Sequence, residues 1–349
     1  MIFHSRPTLD QNDFDSVLDV LKSGHLAQGE QVAGFEEALS SFAGVRNGVA
    51  VSSGTAALHL SLLALGVGNG DEVIIPSYVC CALLNAVKYV NAVPVIADID
   101  RFTFNIDTSD IKKRITGKTK AIIVPHMFGL PADIDEILSL GIPVVEDCAQ
   151  SIGSKYRGRY TGSFGVCSIF SFYATKMLAT GEGGMILSDD DRLAGILRDL
   201  RDYDEKDGYS VRYNYKMTDI QAALGISQLK KLPSFIERRK EIAGLYNRAL
   251  NEISFPVPAT FEGREHIYYR YVLLLDDSSV FIENMLKMGI ECRRPVFKPL
   301  HEYFGLSGYP VTREVMHRAV SIPVYPLLGD EETHKISAGI VDRLKGLRL

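Results

Sequence analysis

The chain has 349 residues, of which 46% are hydrophobic and 23% are charged, and its formal net charge is −5. This length suits one large α/β domain with a smaller second one, and a core of that size needs no disulfide or metal to fold. The acidic balance argues against a nucleic-acid-binding protein, which needs a concentrated basic face. The densest basic stretch predicts a solvated helix face that carries Lys230, Lys231, Arg238, Arg239 and Lys240.

Neither a membrane partner nor a structural metal is expected. Residues 1–15 lack a signal-peptide pattern, and no apolar run approaches the ~20 residues that span a bilayer. The five cysteines have no zinc-ligand spacing, which favours reduced thiols in a cytoplasmic protein.

Helices and strands alternate along the first two thirds of the chain. Hydrophobic periodicity predicts helices at residues 12–22, 31–42, 55–65, 82–90, 109–114 and 131–140. Short apolar runs predict strands at residues 48–51, 71–76, 93–97, 121–125, 143–146, 168–172 and 185–188. This alternation indicates a three-layer α/β fold around a mostly parallel sheet. Ligands bind at the carboxyl ends of the strands in such sheets.

The pattern changes after about residue 229. Pro233 is expected to break a helix, and a long helix is predicted at residues 235–250. Strands at residues 268–275 and 290–296 and a helix at residues 330–349 follow. We therefore predict a large cofactor-binding domain at residues 1–230 and a small α/β C-terminal domain at residues 231–349. The N-terminal segment belongs to the first domain or packs on the second.

Lys176 lies in a loop between an apolar strand and the glycine-rich turn Gly181-Glu182-Gly183-Gly184. A lysine reacts with a carbonyl only as the neutral amine, so a catalytic lysine needs a partly desolvated site. The carboxyl end of a buried strand offers such a site. Without further signals, a solvated loop lysine would be the simpler interpretation.

Two further signals accompany this lysine. Asp147 ends an apolar strand about one βαβ unit upstream, and a pyridoxal cofactor needs a carboxylate at its ring nitrogen. Gly54 and Thr55 lie at a strand-to-helix junction, where free amides can hold a phosphate. Each signal also has a purely structural explanation. Asp147 could cap the turn that follows its strand, and the Ser53-Gly54-Thr55 segment could be an ordinary helix cap.

Together these motifs resemble the DegT/DnrJ/EryC1/StrS family of sugar aminotransferases, and the resemblance covers nearly the whole chain. It is carried by Ser53-Gly54-Thr55-Ala56-Ala57-Leu58, Gly70-Asp71-Glu72-Val73-Ile74-Ile75-Pro76, Glu146-Asp147-Cys148-Ala149-Gln150, Gly162-Ser163-Phe164-Gly165, Phe170-Ser171-Phe172 through Lys176 to Gly184, and Asn214 with Met217-Thr218-Asp219-Ile220-Gln221. The resemblance implies the type I fold of aspartate aminotransferase, with pyridoxal 5'-phosphate as cofactor.

The resemblance also implies roles for individual residues. Lys176 would be the Schiff-base lysine and Asp147 the partner of the pyridinium nitrogen. Gln150 would lie against the ring, and the phosphate would be held by Gly54, Thr55 and Ser171. Asn214 would reach that phosphate from a neighbouring subunit, which implies a homodimer with shared active sites.

The chain departs from the family pattern at three places. Cys80 occupies the position of the usual ring-stacking aromatic residue, so either Cys80 itself or the nearby Tyr78 would lie against the cofactor ring. Lys216 stands where an arginine is usual, two places after Asn214.

The third departure is the segment from Arg293 to His301, where a histidine- and tyrosine-rich stretch is usual. Its three cations, Arg293, Arg294 and Lys298, would contact a substrate diphosphate or carboxylate, or lie at a rim without a ligand. His126 and His301, at strand ends, are further candidates for substrate contact, and a histidine at such a place is more often structural.

The resemblance implies an enzyme that transfers an amino group from glutamate or glutamine to a nucleotide-linked keto sugar. Such an enzyme would act in amino-sugar or polysaccharide biosynthesis. A sugar dehydratase of the same family is disfavoured by Lys176, because those relatives have histidine there. A non-catalytic regulatory member is disfavoured by the intact Asp147, Gln150 and Lys176. A nicotinamide-binding protein is disfavoured because Gly54 is the single glycine where three would be needed.

Overall fold

A β-sheet covered by helices forms the centre of the computed structural model, which describes residues 1–346. The strands are β1 (Asn47–Val51), β2 (Glu72–Pro76), β3 (Val93–Ala97), β4 (Thr119–Pro125), β5 (Val144–Asp147), β6 (Lys155–Tyr156), β7 (Arg159–Tyr160), β8 (Cys167–Ser171), β9 (Gly184–Ser188), β10 (Arg264–Glu265), β11 (Tyr271–Leu274) and β12 (Ala319–Ile322). The helices are α1 (Gln11–Ser23), α2 (Glu30–Ala43), α3 (Gly54–Ala64), α4 (Ala82–Tyr89), α5 (Thr108–Arg114), α6 (Ile134–Leu138), α7 (Asp191–Arg201), α8 (Asp219–Glu252), α9 (Ser278–Lys287), α10 (Pro310–Arg318) and α11 (Asp330–Gly346). Short 3-10 helices cover Met127–Gly129 and Leu300–Phe304. The predicted helical residues 347–349 lie outside the described part of the chain.

The central sheet has seven strands in the order β1–β9–β8–β5–β4–β2–β3. β8, β5, β4, β2 and β3 are parallel, whereas β9 is antiparallel to both of its neighbours, β8 and β1. The prediction of an α/β fold with a mostly parallel sheet is confirmed. Because β9 reverses between them, β1 runs parallel to β8, and the carboxyl ends of β1, β5 and β8 meet at one edge.

Both faces of this sheet are buried, which explains the continuous apolar runs. Ile75 and Val145 pack with α3 and α4 on one face. Their neighbours Ile74 and Val144 pack with α5 and α6 on the other. A strand buried on both faces has no polar side to alternate with.

A second core lies around β11 and β12. It is built from the end of α8, from α9 and from α11, and it also contains Ile2. Ile2 forms a parallel bridge with Ile290, so the N-terminal segment contacts this C-terminal part. The predicted strand at residues 268–275 is confirmed for Tyr271–Leu274.

The predicted strand at residues 290–296 is wrong. Isolated bridges form there only at Ile290 and Arg293, and β12 is the strand that pairs with β11. Pro295 follows these bridges and has no amide to donate to a ladder.

The predicted helix break at Pro233 is also wrong, because α8 continues through it. A proline inside a helix costs about 3 kcal/mol. Here α8 packs against α1 and α2 and also against α11, and this packing holds the helix together. The predicted boundary at residues 230/231 therefore falls inside one helix, and the division into two domains stays a prediction.

The basic stretch of α8 is not uniformly solvated. Arg239 is buried, and its guanidinium donates to the backbone carbonyls of Tyr269 and Val324. Lys231 forms ion pairs with Asp10 and Asp13. Within residues 1–346, no helix combines the length and the apolar character that a membrane crossing requires.

Candidate active site

The carboxyl ends of two neighbouring strands bring the predicted acid and lysine together. β5 ends at Asp147 and β8 ends at Ser171, and the parallel register places Asp147 opposite Ile169. Lys176 follows Ser171 after a turn in which the Lys176 amide donates to the Tyr173 carbonyl at 2.8 Å. The acid and the lysine therefore reach the same sheet edge from adjacent strands.

The start of α3 presents free amides beside Ser171. The Ser53 side chain caps the helix by accepting from the Ala56 amide at 3.1 Å. The amides of Gly54 and Thr55 make no hydrogen bond within residues 1–346. A helix N-terminus with unpaired amides binds phosphate. This cradle fits the phosphate of pyridoxal phosphate.

Two glycines let the chain segments around this cradle approach closely. A Cβ on Gly54 would lie 2.8 Å from Cβ of Ser171. A Cβ on Gly184 would lie 2.4 Å from the Ser53 carbonyl oxygen. Real Cβ atoms do not come so close to other atoms, so both positions require glycine. The glycine-rich turn before β9 is thus explained in part by packing against the cradle.

Asp147 is buried without enough positive charge to compensate. Burial raises the pKa of its carboxyl, although the Ala149 amide, 3.0 Å from Oδ1, and the charge of Lys176 lower it in part. Oδ2 makes no hydrogen bond within residues 1–346. A cation such as a protonated pyridine nitrogen would favour the ionised carboxylate. The electrostatics of Asp147 therefore fit the cofactor.

Lys176 is half-buried in the same cleft. Its Nζ lies 5.5 Å from the centre of the Tyr269 ring. Its charge acts on Asp147 and also on the thiol of Cys80. The partial desolvation expected for a catalytic lysine is present.

Gln150 follows Asp147 by three positions and lies at the same edge. Its side-chain carbonyl accepts from the Phe128 amide at 2.9 Å. Its amide NH2 makes no hydrogen bond within residues 1–346. The side chain is thus oriented by one contact and keeps a free donor, which suits the proposed contact with the phenolic oxygen of the cofactor.

Cys80 and Tyr78 have different environments. Tyr78 is fully buried in the core with Phe104 and Phe128, and its hydroxyl has no hydrogen-bond partner within residues 1–346. Cys80 is reached by solvent, in the cleft beside Lys176 and Asp147, where the surrounding protein raises the pKa of its thiol. Of the two candidates for the ring contact, Cys80 is the one that lines the cleft.

His126 belongs to a buried hydrogen-bonded pair. Its Nε2 lies 3.0 Å from Glu146, and its Nδ1 accepts from the Ala132 amide at 3.0 Å. Burial raises the pKa of Glu146, but the bonds from His126 and from backbone amides outweigh it and keep the pKa low. Cys148 completes a cluster whose ligand atoms lie within 4.8 Å. Both ring nitrogens of His126 are engaged, so this cluster is structural.

The residues proposed from the late segment have different environments. His301 is buried, and its Nδ1 lies 2.7 Å from the Ser77 hydroxyl. Arg293 is exposed and forms an ion pair with Glu291. Arg294 donates to the Met316 carbonyl at 2.6 Å and to the Ser279 hydroxyl at 2.9 Å.

Asn214 lies just before α8 and is exposed to solvent. Its side chain makes no hydrogen bond within residues 1–346. The next cation, Lys216, forms ion pairs with Asp202 at 2.9 Å and Asp204 at 2.6 Å. Asn214 is thus free to contact a second copy of the chain.

Tyr269 is a cleft residue that the sequence did not single out. Its ring packs with buried side chains of α8 on one side and faces Lys176 on the other. The guanidinium of Arg270 lies 4.8 Å from the ring centre. It lies far along the chain from β5 and β8, in a stretch where the sequence predicts only the start of a strand. No local pattern marks such a residue, because the fold alone brings it to Lys176.

A phosphate cradle, a buried acid and a half-buried lysine lie at one edge of this sheet, which is the arrangement expected of an enzyme that binds pyridoxal phosphate. Residues 7–341 match the DegT/DnrJ/EryC1/StrS aminotransferase family, and the chain belongs to it. The prediction of this family, and of an aminotransferase enzyme, is therefore confirmed.

Individual relatives agree with this assignment. GDP-perosamine synthase of Caulobacter vibrioides is 39% identical over 314 residues, which is 84% of this chain and 84% of the relative. The aminotransferase TlmJ of Streptoalloteichus hindustanus matches 100% of both chains with a TM-score of 0.95 and 30% identity. Spr1654 of Streptococcus pneumoniae, solved in its PLP form, matches 99% of both chains with a TM-score of 0.92 and 28% identity.

Proposed function

We propose that the chain transfers an amino group from glutamate or glutamine to the keto group of a nucleotide-linked sugar, using pyridoxal phosphate bound at Lys176. The observation that carries this proposal is the convergence of Lys176 and Asp147 beside the phosphate cradle of α3. Similarity to GDP-perosamine synthase supports a nucleotide-linked sugar as substrate.

Each part of the cofactor has candidate partners in the cleft. Asp147 would hold the ring nitrogen, Gln150 would hold the phenolic oxygen, and Cys80 would lie against the ring. The phosphate would be held by Gly54, Thr55 and Ser171, and by Asn214 of a second subunit. When bound, pyridoxal phosphate would supply an electron sink for negative charge at the donor α-carbon.

Lys176 would have two tasks in this proposal. Its amine would hold the cofactor in the resting enzyme, and when a donor is bound the freed amine would hold and move the proton of the donor α-carbon. The buried carboxylate of Asp147 would keep the ring nitrogen protonated, because that positive charge stabilises the carboxylate.

The structure supports the proposed substrate contacts of individual residues to different degrees. Arg293 is exposed and could bind a diphosphate by its guanidinium fork. Arg294 already donates to two groups of the protein, so its proposed contact with a substrate diphosphate or carboxylate has less support. His301 is bonded to Ser77 through Nδ1, and its buried Nε2 has no hydrogen-bond partner within residues 1–346, which leaves one ring nitrogen for its proposed substrate contact. His126 is buried with both ring nitrogens bonded, which gives its proposed substrate contact the least support.

The test uses the Lys176→Ala variant beside Lys113→Ala, a control at an exposed helix position. Each protein is incubated with pyridoxal phosphate, glutamate or glutamine, and a panel of free and nucleotide-linked keto sugars. We expect amino sugar from the wild type and the control and none from Lys176→Ala. Turnover by Lys176→Ala at the wild-type rate would contradict the proposal. A deoxygenated product without new nitrogen would indicate a dehydratase instead.

A further inference from the structure

Arg270 is half-buried and is tied to the cleft through its backbone and through its side chain. Its amide donates to the Phe128 carbonyl at 3.3 Å, and the Phe128 amide donates to the side chain of Gln150 at 2.9 Å. Its Nη2 lies 3.4 Å from the phenolic oxygen of Tyr269, and that phenol also forms a hydrogen bond with the side chain of Thr175. Gln150 follows the end of β5, and Thr175 follows the end of β8. Arg270 is therefore linked to both strands that carry the acid and the lysine.

The backbone that holds Arg270 in this place is strained. Phe128 has φ 57° and Tyr268 has φ 51°. Non-glycine residues in this left-handed region persist only where the surrounding contacts impose them, and they cluster at sites that bind ligands. The strain is confined to the crossing of the two segments that brings Arg270 to the cleft.

Three cations meet around Tyr269. Cζ of Arg270 lies 4.8 Å from the ring centre, and Nζ of Lys176 lies 5.5 Å from it. The buried guanidinium of Arg239 donates to the Tyr269 carbonyl at 3.3 Å, and burial and the charge of Arg270 lower the pKa of Arg239 to about 9. Within residues 1–346 neither arginine forms an ion pair with a carboxylate. Because Tyr269 is only 5% exposed, water screens these charges weakly, and they favour an anion beside the ring.

The guanidinium of Arg270 is oriented by the protein without being neutralised. Its Nη1 donates to Nδ1 of His4 at 3.1 Å. Burial and the charges of Arg270 and Arg293 lower the pKa of His4 to about 2, so this ring is neutral near pH 7. A guanidinium has more N–H donors than the contacts with His4 and Tyr269 use. The remaining donors suit a planar acceptor that binds through two oxygens, as a carboxylate does.

We propose that Arg270 binds the α-carboxylate of the amino donor. Glutamate and glutamine share this group, and it is attached to the carbon whose proton Lys176 moves. The carboxylate brings the negative charge that the cations around Tyr269 lack, and the guanidinium fork fixes its orientation. A donor held in this way has its α-carbon positioned beside Lys176. The inference rests on the proposed function, because it assumes that an amino acid reacts at Lys176.

The first test measures binding in the absence of any reaction. L-Glutamate is titrated by calorimetry into the full chain free of pyridoxal phosphate. The wild type is compared with Arg270→Gln and with Arg192→Gln, a control at an exposed position of α7. Loss of charge-assisted hydrogen bonds weakens binding by about 10- to 100-fold, which we expect for Arg270→Gln and not for the control. Equal affinity of the wild type and Arg270→Gln, or a wild type that binds no L-glutamate, would overturn the inference.

The second test identifies the carboxylate that Arg270 binds. The chain loaded with pyridoxal phosphate is mixed with L-glutamate or with its α-amide, and the half-saturating concentration is read from the absorbance of the bound cofactor. In the wild type we expect the α-amide to need a concentration about 10- to 100-fold higher. In Arg270→Gln the two donors should be nearly equal, because the cation that distinguishes them is gone. The same preference for L-glutamate in Arg270→Gln as in the wild type would overturn the inference, as expected if Arg270 bound an acceptor diphosphate instead.

Arg270→Lys keeps the tests decisive if Arg270→Gln does not fold, which thermal denaturation of both variants shows. Lysine retains the charge but not the fork, so we expect this variant to bind L-glutamate more weakly than the wild type and more tightly than Arg270→Gln. Wild-type affinity in Arg270→Lys would contradict recognition by the fork.

The outcomes separate the inference from the function. If the wild type takes up no pyridoxal phosphate, or if its bound cofactor does not respond to L-glutamate or L-glutamine, the proposed function fails. If the wild type responds and the Arg270 variants need the same concentration of L-glutamate, the inference alone fails.

Discussion

At the scale of single residues, burial of the Asp147 carboxylate costs free energy, and a bound cation would offset that cost. Its carboxyl is buried, Oδ1 receives a single amide, and the charge of Lys176 offsets the burial in part. A raised carboxyl pKa means that the charge destabilises the fold at neutral pH. This burial supports the proposal that Asp147 binds a positively charged ring nitrogen.

Replacing this carboxylate separates stability from activity. In Asp147→Asn the buried charge is gone, so we expect the cofactor-free protein to melt at a higher temperature than the wild type near pH 7. Activity should fall by about 100-fold or more, because removing one partner of a buried ion pair costs about 3–5 kcal/mol. Thermal denaturation and amino-sugar formation measure the two effects.

The control for this variant is Asp135→Asn, at an exposed position that pairs with Arg157. It should change neither quantity appreciably. An Asp147→Asn enzyme with wild-type turnover would contradict the role of Asp147 at the ring nitrogen.

The residue scale also shows how far sequence reasoning reaches. Lys176 and Asp147 were predictable because each follows an apolar strand, and parallel strands end at one edge. The place of Tyr269 was not predictable, because it reaches Lys176 from a distant segment of the chain. The burial of Arg239 follows from backbone carbonyls that a charge pattern cannot reveal.

At the scale of elements, the start of α3 and the end of β8 form one unit. Their closest approach is at Gly54, where a methyl group would collide with Ser171. The proposed phosphate binding would therefore depend on the packing of these two elements.

We expect Gly54→Ala to weaken binding of pyridoxal phosphate by about tenfold or more, because forcing a methyl group into a packed site costs about 1–3 kcal/mol. Fluorescence titration with the cofactor measures this affinity. Gly68→Ala is the control, since a Cβ there meets no atom within 4 Å. Equal affinity in Gly54→Ala and the wild type would contradict the cradle.

Glu146 anchors β5 to the loop that precedes β8. Its carboxylate accepts from the amides of Gly162, Phe164 and Gly165 at 2.7–2.8 Å, in addition to its contact with His126. We expect Glu146→Gln to lower the free energy of unfolding by about 3 kcal/mol at pH 7, because a neutral amide cannot accept all these bonds.

The pH dependence of this effect has a defined sign. The folded-state pKa of Glu146 is below its ordinary value of 4.5. Its contribution is therefore complete above that pH and is lost as the pH falls through the folded-state pKa. Urea denaturation should show the difference between Glu146→Gln and the wild type shrinking below about pH 4.5. A constant difference would contradict the charged contact, and Glu37→Gln on the exposed face of α2 is the control.

The elements of the central sheet were predictable, whereas those of the C-terminal part were predictable only in part. Continuous apolar runs such as Val144–Asp147 mark strands that are buried on both faces. The run at residues 290–296 is also apolar in places, but it packs in the second core without a ladder. Pro233 marks a helix end by local rules, and the packing of α8 on both sides overrides them.

At the scale of the whole molecule, one chain does not complete the proposed site. Asn214 is exposed in this chain, yet its proposed role is to hold the phosphate. α1 also exposes an apolar stripe of Phe14, Leu18 and Leu21, which a second copy could cover. A homodimer with shared sites accounts for both features.

Mixing two inactive variants tests this arrangement. Lys176→Ala and Asn214→Ala disable different parts of the site, so in a mixed dimer one site carries both changes and the other carries neither. We expect the separate variants to be inactive or nearly so, and the co-expressed, doubly tagged hybrid to recover about half of the wild-type activity per dimer by this count of sites. A hybrid with no activity above that of the separate variants would contradict sharing through Asn214.

The central claim is that Lys176 bonds pyridoxal phosphate, and chemical trapping tests it most directly. The full chain is loaded with pyridoxal phosphate, reduced with borohydride, digested, and read by mass spectrometry. We predict a single reduced adduct, on the peptide that contains Lys176, and its absence in Lys176→Ala. An unmodified Lys176 in the loaded wild type, or an adduct at another lysine that persists in Lys176→Ala, would contradict the account.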